Sequence, residues 1–290
     1  MLQAAPNFPG VVRLSVTENS AATAAAGQPG VAGTPIIEAH SVSMIYTGSA
    51  GGDVLALDDI SFQVRDGEFV CLVGPSGCGK STLLKILAGL LPHTEGAITR
   101  SGRELTGPGP DVGMVFQQPV LLPWRTVMEN ALLPIEFRRL RMDEYLKRAH
   151  DLLELVGLGE FKDRYPQELS GGMQQRASIV RALVQDPPIL LMDEPFGALD
   201  ALTREQMNVE LLRIWQRHRK TVLFVTHSIA ESVFLADRVV VMTPRPGRVA
   251  EIIDIDLPRP RELGVINTER FGRYASHIRE LLQSKGDLSA

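Results

Sequence analysis

The rhythm of apolar and polar positions changes several times along this chain. Ile60–Val64 alternates, the pattern of a strand with one buried face. Glu68–Val73, Ile189–Met192 and Val222–Val225 are compact apolar runs of strand length, which predicts strands buried on both faces of a parallel sheet. Helical patterns lie between them, the alternation of an α/β domain. From about Val127 to Val184 the helical period dominates and strand signal almost vanishes. There Leu146, Ala149, Leu153 and Val156 are predicted to share one helical face, and Met173, Ala177, Val180 and Val184 another. The expectation is a helical subdomain, about residues 120–185, inserted into an α/β core. Beyond Asp237, Val239–Met242 and Val249–Ile255 flank Pro246-Gly247 and read as a hairpin. Phe271, Tyr274, Ile278 and Leu281 predict the apolar face of a last helix, within an extension over 259–290. Residues 1–34 are poor in large apolar groups and are expected to form a disordered tail, which leaves 35–258 as the main domain.

Composition narrows the function class. The 290 residues carry 30 Lys and Arg against 34 Asp and Glu, a net charge of −4, and this mild acidity argues against a nucleic-acid partner. Two cysteines, Cys71 and Cys78, exclude a disulfide framework or a multi-cysteine zinc module. Residues 1–12 carry no lysine or arginine before an apolar core, so no secretory signal is expected. The uncharged stretch Asn19–Ile37 is mostly Ala, Gly, Thr, Ser and Pro, too polar and broken to cross a bilayer.

Residues 74–82 read Gly74-Pro75-Ser76-Gly77-Cys78-Gly79-Lys80-Ser81-Thr82 and match GxxxxGK[ST]. The segment follows a predicted strand and precedes the helical run Ser81–Leu90, where a phosphate-binding loop belongs. Glycines 74, 77 and 79 are expected to let the backbone curl so that successive N–H groups converge on an anion, and the helix dipole adds positive potential there. Lys80 would reach the β- and γ-phosphates, and Ser81 would take one position on Mg²⁺. Cys78 is read as a variable position of the loop and Cys71 as a small core residue.

The second half of the chain adds further elements. Leu169-Ser170-Gly171-Gly172-Met173-Gln174-Gln175-Arg176 precedes a helix, with Ser170 placed as N-cap and two glycines leaving the backbone bare, a second anion site. Ile189–Met192 runs into Asp193 and Glu194; Gly197-Ala198-Leu199-Asp200 follows, and Val222–Thr226 delivers His227 at a strand end. Taken together, and in this order, these residues resemble the nucleotide-binding subunit of an ATP-binding cassette (ABC) transporter over about residues 36–255. The resemblance implies a P-loop NTPase core with an inserted helical subdomain and an N-terminal antiparallel β region. It makes Gln117 the Q-loop glutamine and a metal contact, Ser170–Arg176 the signature, Asp193 the metal-holding carboxylate, Asp200 the D-loop, and His227 the switch histidine. Glu194 would accept a proton from, or orient, the attacking water, and His227 would stabilise charge developing on the γ-phosphate. Tyr46 falls where the family places an aromatic against adenine, with core packing as the other reading.

The resemblance also implies partners. Two cassettes, either copies of this chain or a paralogous pair, would bury two ATP molecules with Mg²⁺ between the P-loop of one and the signature of the other. Two membrane permease subunits and an extracytoplasmic solute-binding protein would complete an importer, with this chain peripheral on the cytoplasmic face of the cell membrane. The segment Gln118–Val127 is where related subunits meet the permease, and Trp124 is read equally as a contact residue or as ordinary packing. Leu122–Val127 and Met242–Arg248 resemble the nitrate, sulfonate and taurine importers. A guanine-reading Asn-Lys-x-Asp segment is missing, which disfavours a GTPase, and a soluble ABC protein of DNA repair or translation is the rival reading.

Overall fold

The computed structural model describes residues 34–48, 52–197 and 199–286. The expected tail therefore lies, apart from Thr34, outside the described residues. Among these residues the strands form two sheets. A six-stranded sheet runs β10 (Val249–Asp254), β9 (Arg238–Met242), β3 (Phe69–Val73), β8 (Thr221–Thr226), β7 (Ile189–Asp193) and β6 (Val112–Val115), all neighbours parallel except β10 on β9. A four-stranded antiparallel sheet runs β2 (Val54–Arg65), β1 (Pro35–Tyr46), β4 (Glu95–Arg100) and β5 (Arg103–Glu104). The antiparallel sheet is split in sequence, because β3 and helix α1 (Lys80–Leu87) come between β2 and β4.

The apolar runs are explained by burial on both sheet faces. In β3, Phe69, Cys71 and Val73 enter one core while Val70 and Leu72 enter the other. The same parity holds in β7, with Leu190 and Met192 against Ile189 and Leu191, and in β8, with Val222 and Phe224 against Leu223 and Val225. A period of two that leaves both faces apolar reads in sequence as a continuous hydrophobic run. The second core is closed by α1 and by Val42, Leu57, Ile60 and Val64 of the antiparallel sheet. The first is closed by helices, and an aromatic chain runs through it: Phe69 meets Trp215 edge-on at 5.8 Å, and Phe224 lies 5.7 Å from Phe196. Each such side chain, fully buried, contributes on the order of 1.5–3 kcal/mol.

Between β6 and β7 stand α2 (Val127–Phe137), α3 (Met142–Leu155) and α4 (Gly171–Leu183). Ala149, Leu153 and Val156 are buried as the periodicity predicts, but Leu146 is 42% exposed and drops out of that face. Ala177, Val180 and Val184 are buried and Met173 packs on them at the rim. These helices share one continuous core with the sheet rather than closing a core of their own. Downstream lie α5 (Ala201–His218), α6 (Ile229–Leu235) and α7 (Glu269–Gly286). Helix α7 packs Phe271 and Ile278 into the sheet's first core, with Tyr274 and Leu281 alongside. The expected late hairpin is present as β9 and β10, and β9 also extends the central sheet by pairing with β3.

One buried polar residue shapes the surface before α2. Asn130 has no exposure; its Oδ1 accepts from Leu122 N at 2.7 Å, and its Nδ2 donates to the carbonyls of Leu122, Arg125 and Thr126. A buried amide with its valences filled in this way fixes the loop it touches. The capping box of Thr126 and Glu129 then starts α2.

Candidate active site

Parallel registers bring the predicted residues to one rim. Val73 pairs with Thr226, Val225 with Asp193, and Met192 with Val115. The strand ends therefore lie side by side, and Gly74, His227, Glu194 and Gln117 follow directly or within two residues. Chemistry outside the carboxyl ends of parallel strands is the general rule for such sheets.

The loop 74–79 turns from β3 into α1. Gly77 and Gly79 have φ of +77° and +99°, and a Cβ on Gly79 would lie 2.6 Å from Leu57 Cδ2. Gly74 differs from expectation: its φ is ordinary, and glycine is needed because a Cβ would lie 2.9 Å from Cys78 Sγ and 3.1 Å from Met242 Cβ. Gly247 supports the loop from behind, where a Cβ would fall 2.0 Å from the Cys78 carbonyl oxygen. Its N–H donates to Ala56 O and its carbonyl accepts from Asp58 N, both at 3.0 Å, so the late hairpin turn braces the phosphate loop. Its role was not legible in the Pro-Gly dipeptide, which signals only a turn.

Lys80 is 5% exposed and its Nζ donates to the carbonyls of Gly74 at 2.8 Å and Pro75 at 2.9 Å. Burial pushes the Cys78 thiol up, against the pull of Lys80, which leaves it a packing residue. Ser76 and Gly77 face solvent at the loop's crest, while Thr82, in α1, is half-buried. The Tyr46 hydroxyl lies 3.2 Å from Thr82 Oγ1 and its ring is 41% exposed, so it stands beside the loop and outside the core.

Ser81 Oγ donates to Asp193 Oδ1 at 2.8 Å. Burial pushes the Asp193 carboxyl up, the Ser81 bond opposes this, and neighbouring Glu194 pushes it further up. A hydroxyl and a buried carboxylate meeting beside a phosphate loop are the hard oxygen donors that Mg²⁺ selects, and a cation there offsets the carboxylate's desolvation. Glu194 holds φ +43°, donates its N–H to Val225 O at 3.0 Å, and places Oε2 3.2 Å from His227 Nδ1. Gln117 is exposed just past β6, and the preceding carbonyl of Phe116 accepts from Gln175 Nε2, a buried side chain of α4.

The second anion site is elsewhere. Ser170 caps α4, its Oγ accepting from Met173 N at 3.3 Å; Gly171 has open space beside it, and Gly172 is packed 3.3 Å from Leu199 Cδ2 at the position of a Cβ. Asp200 caps α5 through Thr203, a bond that holds its carboxyl below the usual range. Ser170, Gly171, Gly172, Arg176, Leu199 and Asp200 line one cleft of about 1110 Å³, and no residue of the loop 74–82 lines it.

Comparison with known proteins agrees with this geometry. A family model described as ABC transporter matches residues 57–197. The uncharacterized ABC transporter ATP-binding protein MJ0412 of Methanocaldococcus jannaschii is 51% identical over 235 residues, 81% of this chain and 87% of that protein. The taurine import ATP-binding protein TauB of Rhizobium johnstonii is 47% identical over 258 residues, 87% of this chain and 98% of that protein. The chain belongs to the ABC transporter family.

It is an ATP-binding and ATP-hydrolysing cassette. Among solved structures, the ATP-binding cassette MJ0796, in a dimeric post-hydrolysis state bound to ADP and Pi, matches with a TM-score of 0.68 and 33% identity, covering 77% of this chain and 100% of that one. In this ABC cassette, burial holds the Asp193 carboxyl up, so its ionisation opposes the stability of the nucleotide-free fold. A carboxyl raised by folding costs nothing below its unfolded pKa, and the full penalty is present above its folded pKa. Asp193→Asn keeps an acceptor for Ser81, so it is expected to raise the thermal midpoint of the nucleotide-free cassette at pH 7 and to abolish ATP turnover. The gain should shrink as the pH falls through the ordinary carboxylate range, which thermal melts of both proteins across pH will read.

Proposed function

We propose that this cassette drives uptake of a small anion, of the nitrate, taurine and aliphatic sulfonate class, through two permease subunits fed by an extracytoplasmic solute-binding protein. The observation that carries the reading is the separation of two phosphate-seeking surfaces on one chain, Gly74–Thr82 and Ser170–Gly172, with no residue of the first lining the cleft that holds the second. A second cassette placed head to tail would close both, and the dimeric state of MJ0796 supports a two-cassette assembly. The role of TauB in taurine import, at 47% identity over 98% of that protein, supports the solute class.

In this mechanism the backbone amides of 74–82 bind the triphosphate while Tyr46 covers the base. Lys80 exchanges its bonds to Gly74 and Pro75 for β- and γ-phosphate oxygens. Ser81, Asp193 and Gln117 would hold Mg²⁺, which when bound would supply positive charge against the triphosphate. Glu194 orients the attacking water and takes its proton, and His227, 3.2 Å away, donates toward the γ-phosphate as charge develops. Ser170, Gly171, Gly172 and Asp200 of the opposing copy complete the site.

Permease contact is supported by the loop before α2. Trp124 is 70% exposed although Asn130 pins the backbone around it. Val120, a β-branched residue at φ +47°, is 59% exposed while Arg181 holds its carbonyl at 2.7 Å. Arg125 pairs with Glu136, which brings the loop beside Phe137, 78% exposed. Large apolar side chains held out by a rigid backbone mark an interaction surface. Among the described residues no helix is long and apolar enough to cross a membrane, and contact through this loop is the proposed route to the permease.

Two experiments test this. Glu194→Gln is expected to keep ATP binding, lose turnover and accumulate a dimer at saturating ATP, read by light scattering; a monomer under those conditions contradicts the shared site. Trp124→Ala is expected to leave ATPase of the isolated cassette unchanged and to abolish transport by the whole complex, and full transport removes the coupling role.

A further inference from the structure

Around His227 the structure holds a buried polar network that the mechanism above does not use. Glu231, in the first turn of α6, is 7% exposed. Its Oε2 accepts from the Thr226 hydroxyl, Thr226 Oγ1 accepts from Ser228 N at 2.9 Å, and Ser228 Oγ accepts from Glu231 N at 3.3 Å. These bonds form a ring through the residues on both sides of His227, so the Glu231 carboxylate sets where the histidine's backbone sits.

The other carboxylate oxygen faces α5. Glu231 Oε1 lies 3.8 Å from Arg204 Nε, and Arg204 Nη2 donates to Leu199 O at 2.8 Å, next to Asp200. Neither Oε1 nor Nε meets hydrogen-bond geometry with any partner among the described residues, and nor does Asn208 Oδ1, although the Asn208 side chain lies near enough to pull the Glu231 carboxyl down. Burial pushes the Glu231 carboxyl up, while the Thr226 hydroxyl and then Arg204 pull it down. An unpaired donor and an unpaired acceptor, buried and facing each other just beyond bonding distance, are costly, and a small approach of α5 to α6 satisfies both.

We infer that Arg204 and Glu231 are positioning residues that carry the placement of Leu199 and Asp200 to His227 within one chain. Docking of a second cassette against Leu199 and Asp200 shifts the start of α5, the guanidinium closes on Glu231, and the ring through Thr226 and Ser228 sets His227 against Glu194. The inference rests on the roles proposed above for Glu194 and His227.

The test is steady-state ATP hydrolysis by the full chain carrying Glu231→Gln, Arg204→Lys or both, with His227→Ala as reference. Gln keeps the acceptor for Thr226 and loses the charge; Lys keeps the charge and loses the fork that spans Leu199 and Glu231. Each single change is expected to lower kcat by about fivefold or more with the KM for ATP held within about twofold, the signature of a lost transition-state arrangement. The double variant is expected to be no slower than the slower single one, because both act through one link. A smaller loss in kcat, a KM that rises beyond that bound, or losses that multiply in the double variant overturns the inference. If Glu231→Gln does not fold, Arg204→Lys decides by the same kcat and KM criteria. Full turnover by His227→Ala overturns the relay and the site reading beneath it. Loss of turnover by His227→Ala with none by Glu231→Gln and Arg204→Lys overturns the relay alone.

Discussion

A triphosphate is so well solvated by water that a protein holds it only by presenting many aligned donors at once, and this chain has its donors in two places. One set is the amides of the loop after β3, backed by the start of α1; the other is the bare start of α4 at Ser170–Gly172. Everything between serves to place these two surfaces. The parallel registers of β3, β8, β7 and β6 bring the loop, His227, the two carboxylates and Gln117 to one rim. Helices α2 to α4 carry the second surface away from that rim, yet their side chains join the sheet's own core, and the bond from Gln175 to Phe116 ties α4 to the approach of Gln117.

The site carries several unrelaxed features. Asp193 is buried, Glu194 sits at positive φ, and Arg204 and Glu231 leave facing polar atoms unpaired. Backbone strain such as that at Glu194 costs of order 1–3 kcal/mol and persists only where the surroundings are rigid. Rigidity comes from the strands behind the site, filled on both faces, and from the brace of Gly247 under Cys78. A fold that stores cost at these residues would be stabilised by the phosphate and cation proposed to bind there.

Local chemistry was the most legible part in sequence. GxxxxGKS after an apolar run, two carboxylates closing another, and Ser-Gly-Gly before a helix each state their physics within a few residues. The double-faced strands β3, β7 and β8 were legible for the same reason. The antiparallel sheet was read only in part, as Ile60–Val64, because β1 and β2 are broken by register shifts and by Ser41 and Asp59 at positive φ, which scramble the alternation. Leu146 fits a helical face by spacing, yet only packing decides that it stays in solvent. The glycine at 74 was read as a flexible turn and proves to be a tight contact with Cys78 and Met242, residues far apart in sequence. Gly247, Asn130, Arg204 and Glu231 carry no local signature, since their meaning lies in partners from other elements.

The account stands on the two donor surfaces serving different copies, and complementation measures this most directly. Lys80→Ala disables the phosphate loop and Ser170→Arg disables the signature, so each protein alone is expected to lack ATP turnover. In a mixed pair one composite site has both lesions and the other has neither, and mixing the two inactive proteins is therefore expected to restore hydrolysis. A mixture as inactive as its components, under conditions where mixed pairs form, would mean that each chain closes its own site and would contradict the account.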